Sequence, residues 1–182
     1  MTEMRQVSIT GLGGQGVILA GLLLGQAGVI EGKNVAGSNS YGAQARGSGC
    51  KSEIVISDGL IIYPHVTVDD ILVTMSQGAY NLYYRGVKEE SGLILYDDGL
   101  VKPRERLKVK QLGAPATEYG VKRLENKQVS NIVILGVLIA LTEIVSPKAL
   151  QKAITLHVSE TFRKVNLKAF RLGLELGKKI HG

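Results

Sequence analysis

Apolar positions along this chain fall into short runs of two different periods. Arg5–Thr10 (RQVSIT) alternates and is rich in β-branched residues, which predicts a strand. The cluster Gly11-Leu12-Gly13-Gly14-Gln15-Gly16 interrupts it, and Val17–Ile30 follows as an apolar run of helical length with no polar stripe. Such a helix is buried on most sides. Val35–Gly49 has four Gly, three Ser and no regular period, so a long loop is expected there. Lys51–Ser57 alternates, and Asp58-Gly59 predicts a hairpin turn with Leu60–Tyr63 as the returning strand.

Further on, Asp70–Thr74 and Gly92–Tyr96 read as short buried strands with a helix over Gly78–Val87 between them. Leu107–Leu112 alternates with lysines on one face, which suits an edge strand. Pro115–Glu125 and Val129–Val145 read as helices. Ser146-Pro147 supplies an N-cap followed by proline at the first helical position, which starts a helix running to His157. A last amphipathic helix covers Lys164–Lys179. The expected architecture is an α/β fold: one domain over residues 1–182, three α/β/α layers, a mixed β-sheet and a Rossmann-like opening βα unit.

Composition narrows the picture. The 182 residues are 45% hydrophobic and 21% charged, enough to bury a core. With no Trp and 5% aromatics, that core must be mainly aliphatic. A single cysteine, Cys50, excludes an internal disulfide, a self-contained zinc site and an iron–sulfur cluster, and suits a reducing, cytoplasmic setting. No basic-then-apolar leader opens the chain. The longest strongly apolar run, Ile132–Leu141, falls well short of the ~20 residues that span a bilayer, so no membrane contact is expected. The net charge of +6 lies entirely in the tail, where residues 146–182 carry eight basic and two acidic side chains. That tail has no interleaved aromatics, and Phe162 and Phe170 fall at helical core spacing. It therefore reads as a partner-docking or solvated face and not as a nucleic-acid site. Tyr80, Tyr83 and Tyr84 are further candidates for burial in a complex.

Gly11, Gly13 and Gly16 match GxGxxG between a strand and a helix, where backbone N–H groups meet a phosphate. A dinucleotide site also wants an acidic residue at the end of the second strand. Glu31 precedes Gly32-Lys33, ahead of any second strand, so an NAD site is disfavoured, while a packing turn with no ligand stays open. The loop Ser40–Ser48 adds Tyr41, Gln44 and Arg46 among small residues. Arg46 could bond a phosphate or brace a carboxylate, and Tyr41 could face a ligand or pack. Asp97 and Asp98 are adjacent and point apart, so they suit turn capping. His65, His157 and His181 show no metal-ligand spacing. The residues by themselves predict a phosphate-type binding site, with no catalytic residue and no metal site.

In order along the chain, GLGGQGVILAGLLLGQA, SYGAQARGSGCKSEIVISD, VDDILVTMSQGAYN, LYDDGLV, GAPATE and SNIVILGVLIAL together resemble the gamma subunit of 2-oxoacid:ferredoxin oxidoreductases. The similarity is strongest to the 2-oxoglutarate type and covers residues 5–175. The resemblance implies a subunit of an enzyme that oxidatively decarboxylates a 2-oxoacid, passes the acyl group to coenzyme A and reduces ferredoxin. It implies alpha, beta and delta partners, with thiamine diphosphate, Mg and iron–sulfur clusters held by those partners and not by this chain. It also implies that the chain borders the coenzyme A site. The residues expected there are Gly11, Gly13, Gly14, Gln15, Gly16, Tyr41 and Arg46, with Asn131 as a further polar contact. The small chain of an indolepyruvate, pyruvate or branched-chain enzyme, and a stand-alone nucleotide-binding module, remain as alternatives.

Overall fold

The computed structural model describes residues 4–42 and 47–181. Six strands form one mixed sheet in the order β2-β3-β1-β4-β5-β6. β1 (Met4–Leu12) lies inside it, with Val7 and Ile9 wholly buried on the face that receives α1 (Val17–Ile30). β4 (Ile71–Thr74), β5 (Leu93–Asp97) and β6 (Lys110–Ala114) extend the sheet from β1, each parallel to its neighbour. On the other side, β3 (Gly49–Ser57) runs antiparallel to β1, and β2 (Asn34–Tyr41) antiparallel to β3.

That second hairpin corrects the sequence reading twice. Half of the stretch expected to be loop is strand β2, which forms the sheet edge. The expected return of Leu60–Tyr63 does not occur: Leu60 and Ile62 are exposed, and β3 pairs back onto β2, with Asn34 opposite Ser57 and Tyr41 opposite Cys50. An edge strand with both faces half open needs no apolar alternation. Its Gly, Ser and Asn residues therefore carry none of the signal by which strands are usually found.

One face of the sheet is covered by α1, α4 (Ser130–Thr142), α5 (Pro147–His157) and α6 (Glu160–His181), with α3 (Ala116–Leu124) packed beside α4. The other face carries α2 (Gln77–Tyr83) and a 3₁₀ turn over Tyr84–Gly86, which close a smaller core of Leu72, Tyr80, Tyr84 and Ile94. The three-layer mixed-sheet architecture is therefore present. Tyr80 and Tyr84 are buried and stacked 5.6 Å apart, which corrects the expectation that they form a partner surface. Among the described residues, no helix is long and apolar enough to cross a membrane.

α4 explains its own apolar sequence: every residue from Ser130 to Ile139 is buried, between the sheet and α6. The approach of α4 to α6 is close because Gly136 and Gly173 face each other, and a Cβ on Gly136 would stand 2.6 Å from the Phe170 carbonyl oxygen. α5 begins where Ser146 and Pro147 predict, with Ser146 Oγ accepting from the Ala149 N–H at 3.2 Å. Glu31 Oε1 accepts from the Ser146 N–H at 2.7 Å and ties the end of α1 to the start of α5. α6 starts earlier than expected, at Glu160. Phe170 is core, but Phe162 is 53% exposed, because eight positions at about 100° each leave the two rings roughly 80° apart around the helix. The lysines at 164, 168, 178 and 179 and Arg171 line its outer, exposed face.

Two stability predictions follow from this packing. Gly173→Ala drives a Cβ into the Val133 carbonyl, a backbone atom that cannot step aside. It should cost about 1–3 kcal/mol or more, read as a lower urea midpoint. Gly78→Ala in α2 meets open space and should be neutral or stabilising by up to about 1 kcal/mol. Beside β4, Asp69 is 4% exposed, and burial pushes its carboxyl up to about 6, against the attraction of Lys51. The native state then binds the proton more tightly than the unfolded chain, so stability falls as pH rises from about 4 to 6. Asp69→Asn should flatten that slope, so that the midpoint difference from the unsubstituted protein grows towards pH 7. Parallel pH profiles would remove Asp69 as the cause.

Candidate functional site

β1 ends at Leu12, and the chain passes through Gly13–Gly16 into α1. Gln15 braces this turn. Its Oε1 accepts from the Leu12 N–H at 2.7 Å, and its Nε2 donates to the Met75 carbonyl, just past β4, at 2.7 Å. The side chain expected to offer a donor to a ligand thus spends its carbonyl and one N–H on joining two strand ends. Gly11 lies within β1, opposite Cys50, and a Cβ there would stand 2.6 Å from Gln15 Oε1. Gly11 is a packing position, and the turn proper is Gly13, Gly14 and Gly16.

Gly14 and Gly16 have left-handed φ of 97° and 73°. At Gly16 a Cβ would run into the Asn131 amide, so this position needs glycine for both its angle and its neighbour. Asn131, in the first turn of α4, is 2% exposed and donates from Nδ2 to the Gly16 carbonyl at 3.0 Å. Among the described residues its Oδ1 has no partner. Among the described residues, no side chain bonds the first-turn N–H groups of α1, which carry the positive end of its dipole.

The β2–β3 connection folds back onto the turn. The Gly13 N–H donates to the Ser48 carbonyl at 2.9 Å, and the Gly47 N–H to the Gly13 carbonyl at 3.4 Å. Arg46, with Ala43, Gln44 and Ala45, lies outside the described residues, but its neighbour Gly47 sits against Gly13. Tyr41 is 74% exposed at the end of β2. Gly13, Gly14, Gly16, Tyr41, Ser48 and Cys50 line an open hollow of about 430 Å³.

Gly14 and Gly16 also line a second cleft, of about 360 Å³, on the other side of the turn. Its walls bring in Asn126, Gln128, His157, Ser159 and Phe162; the sequence gives His157 no metal-ligand spacing and puts Phe162 at core spacing, and it marks none of the other three. Asn126 Oδ1 accepts from the Gln128 N–H at 2.9 Å, starting a 3₁₀ turn that runs straight into α4. The Ser159 carbonyl accepts from the N–H groups of Phe162 and Arg163 at the start of α6. Ser159 ahead of Glu160 is a cap signal readable in sequence, but nothing in the spacing says that the starts of α1, α4 and α6 meet. Among the described residues, neither lining contains Asp, Glu, Lys or Arg.

Other candidates resolve into structure. Asp97, fully buried, accepts from the Thr117 N–H at 2.9 Å and the Thr117 hydroxyl at 2.6 Å, and so caps α3. Burial pushes the Asp98 carboxyl up, with Asp97 and Glu118 adding to it. The Cys50 thiol is also pushed up by burial, which keeps it protonated and a poor metal ligand. Among the described residues, no three His, Cys, Asp or Glu side chains come together to hold a metal ion.

Comparison with known proteins adds the following. The family model described as pyruvate ferredoxin/flavodoxin oxidoreductase matches residues 6–176. The chain is 40% identical over 179 residues to 2-oxoglutarate synthase subunit KorC of Methanocaldococcus jannaschii, covering 97% of this chain and 95% of that one. It superimposes on the gamma subunit of a keto/oxoacid ferredoxin oxidoreductase from Geobacter sulfurreducens with a TM-score of 0.83 at 35% identity, covering 95% and 98% of the two chains. A 2-oxoglutarate:ferredoxin oxidoreductase chain from Magnetococcus marinus, in a structure with 2-oxoglutarate, coenzyme A and succinyl-CoA bound, shares the fold. Its TM-score is 0.87 at 22% identity, covering 97% of this chain and 31% of its own.

Proposed function

The chain belongs to the pyruvate ferredoxin/flavodoxin oxidoreductase family, and from that membership we propose that it is the gamma subunit of a 2-oxoglutarate-type 2-oxoacid:ferredoxin oxidoreductase. The observation that carries this reading is likeness over nearly the full length of both chains, at 40% identity, to a 2-oxoglutarate synthase subunit. The assembled enzyme decarboxylates the 2-oxoacid oxidatively, passes the acyl group to coenzyme A and reduces ferredoxin. Its thiamine diphosphate, Mg and iron–sulfur clusters sit on alpha, beta and delta partners. The residues here suit that division. A cluster needs several thiolates, and the chain has one cysteine, buried and held protonated.

This chain's share is one wall of the coenzyme A site. Coenzyme A supplies the thiol that accepts the acyl group, and its pyrophosphate needs donors at close range. The open first turn of α1 supplies backbone N–H groups and about half a positive charge. Gly14 and Gly16 let the ligand approach the main chain, and no carboxylate lines the adjoining hollow. Tyr41 stands exposed at its rim. Arg46 precedes Gly47, whose N–H meets Gly13, and its guanidinium supplies a bidentate phosphate contact in this reading. The exposed basic face of α6 is the surface offered to partner subunits.

Three measurements test this. The purified single chain should show no 2-oxoacid-dependent reduction of a low-potential acceptor. The complex purified from the native host should be most active with 2-oxoglutarate and coenzyme A in a screen of several 2-oxoacids. In that complex, Arg46→Ala should raise the coenzyme A KM roughly ten- to a hundredfold, the loss of one charge-assisted contact, while the 2-oxoacid KM stays nearly constant. Normal assembly with an unchanged coenzyme A KM would make Arg46 a structural brace.

A further inference from the structure

α1 has the composition of a helix buried on every side, but this chain covers only part of it. Residues 17–30 hold no charged side chain and one amide, Gln26. One flank belongs to the core, where Val17, Ala20, Leu23, Leu24 and Ala27 are buried. Gly21 and Gly28 bring that flank down onto Ser52 and Val35 of the sheet. On the opposite flank Ile18, Leu22, Gly25 and Val29 recur at spacings of four, three and four, the ridge by which one helix packs against another. Among the described residues nothing buries this ridge: Leu22 is 46% exposed and Val29 54%. A surface helix ordinarily turns charged and polar residues to that side.

The ridge overlooks a groove of about 350 Å³, floored by Val35 and Gly37 of β2 and Ile54 of β3. Its glycines keep it wide: a Cβ on Gly37 would come no closer than 3.7 Å to the Glu53 carbonyl oxygen, and one on Gly25 would lie 3.4 Å from Val35. Ser52 Oγ donates to Asn39 Oδ1 at 2.6 Å, so two of the polar atoms here already pair with each other. Among the described residues the lining has one charged member, Glu53. Its carboxylate accepts from Lys51 Nζ at 2.6 Å and Ser38 Oγ at 2.9 Å, on the other face of the sheet. What the groove offers is therefore apolar and uncharged, the character of the buried centre of a protein interface.

We propose that this groove seats an apolar helix of the partner subunit that carries thiamine diphosphate, a proposal that rests on the gamma-subunit reading above. Two observations choose that occupant. Ile18 lines both the groove and the hollow at the glycine turn, so a chain seated on α1 runs on into the hollow and closes it from the side of β2. Among the described residues the hollow has no acid, base or ionised nucleophile of its own, so the reacting group must arrive on whatever closes it. A second copy of this chain would bring another hollow and no such group. In addition, this fold makes up 31% of the Magnetococcus marinus chain, so there it shares one polypeptide with a longer remainder. A domain built for that arrangement needs an apolar face that takes protein.

The test is purification from the native host through a tag on this chain, reading the thiamine diphosphate that elutes with the tag on gel filtration. Leu22→Glu and Val29→Glu each set a carboxylate in the groove at an exposed position. Each should lower the retained thiamine diphosphate about tenfold or more, while the urea midpoint of the purified variant chain stays that of the unsubstituted one. Leu82→Glu, 69% exposed on α2 at the other face of the sheet, should retain it fully. Full retention in both groove variants would overturn the proposal and leave the subunit reading standing. So would equal loss in Leu82→Glu, or a purified single chain that is a dimer and becomes a monomer in Leu22→Glu with retention unchanged, since the groove would then hold a second copy. If the unsubstituted chain brings no thiamine diphosphate with it, the subunit reading and the proposal fall together.

Discussion

The contact between Gly16 and Asn131 is the constraint on which the site depends. The Gly16 carbonyl accepts the first intrahelical bond of α1, from the Ala20 N–H at 3.0 Å, and also accepts from Asn131 Nδ2 at 3.0 Å, across 115 residues of sequence. The bond forms only because Gly16 is left-handed and has no Cβ, which would occupy the place of the amide. α4 in turn cannot drift. It is buried along most of its length, and its Gly136 lies against Gly173 of α6. The starts of α1, α4 and α6 are therefore held by the aliphatic core itself, so the geometry of the turn follows from packing and not from the turn's own residues.

The sheet sets where that turn can act. α1 follows β1 onto one face, and α2 follows β4 onto the other, so the C-terminal ends of these parallel neighbours flank a point where the winding changes direction. Open α/β sheets bind ligands at such a point. Here Gln15 spans it, bonded to Leu12 on one side and Met75 on the other, leaving a space of about 130 Å³. The larger hollows lie to either side of the turn. This is the physical reason why a glycine pattern of dinucleotide type comes without an acidic residue at the end of the second strand. β2 runs antiparallel at the sheet edge, and Glu31 is engaged with the start of α5.

Elements whose sequence carries a strong local signal were legible: β1 by alternation, α1 and α4 by unbroken apolar runs, and α5 by Ser146-Pro147. β2 was not, since Asn, Gly and Ser on a half-open edge strand follow no period. Phe162 was misread as core because a spacing of eight looks helical while lying well off the face of Phe170. The glycine turn could be found as a turn, but its division of labour could not. Gly11 packs, Gln15 braces, and Gly14 and Gly16 face open space or Asn131. The second cleft joins residues near 16, 131 and 159, and no pairwise spacing in the chain announces that its helix starts meet.

The distribution of charge separates two tasks. The basic excess of the tail stands on the outer faces of α5 and α6, and none of it lines either hollow. Charges placed that way act over about a Debye length and weaken with salt, which suits the approach of another protein surface. Among the described residues, the fixed attraction in the hollows comes from backbone N–H groups at helix starts, which do not titrate and cannot swing away. A site made so holds its ligand through geometry fixed by the core. Under the coenzyme A reading, the backbone part of that affinity should respond less to pH and salt than the proposed docking through the lysine-rich face of α6.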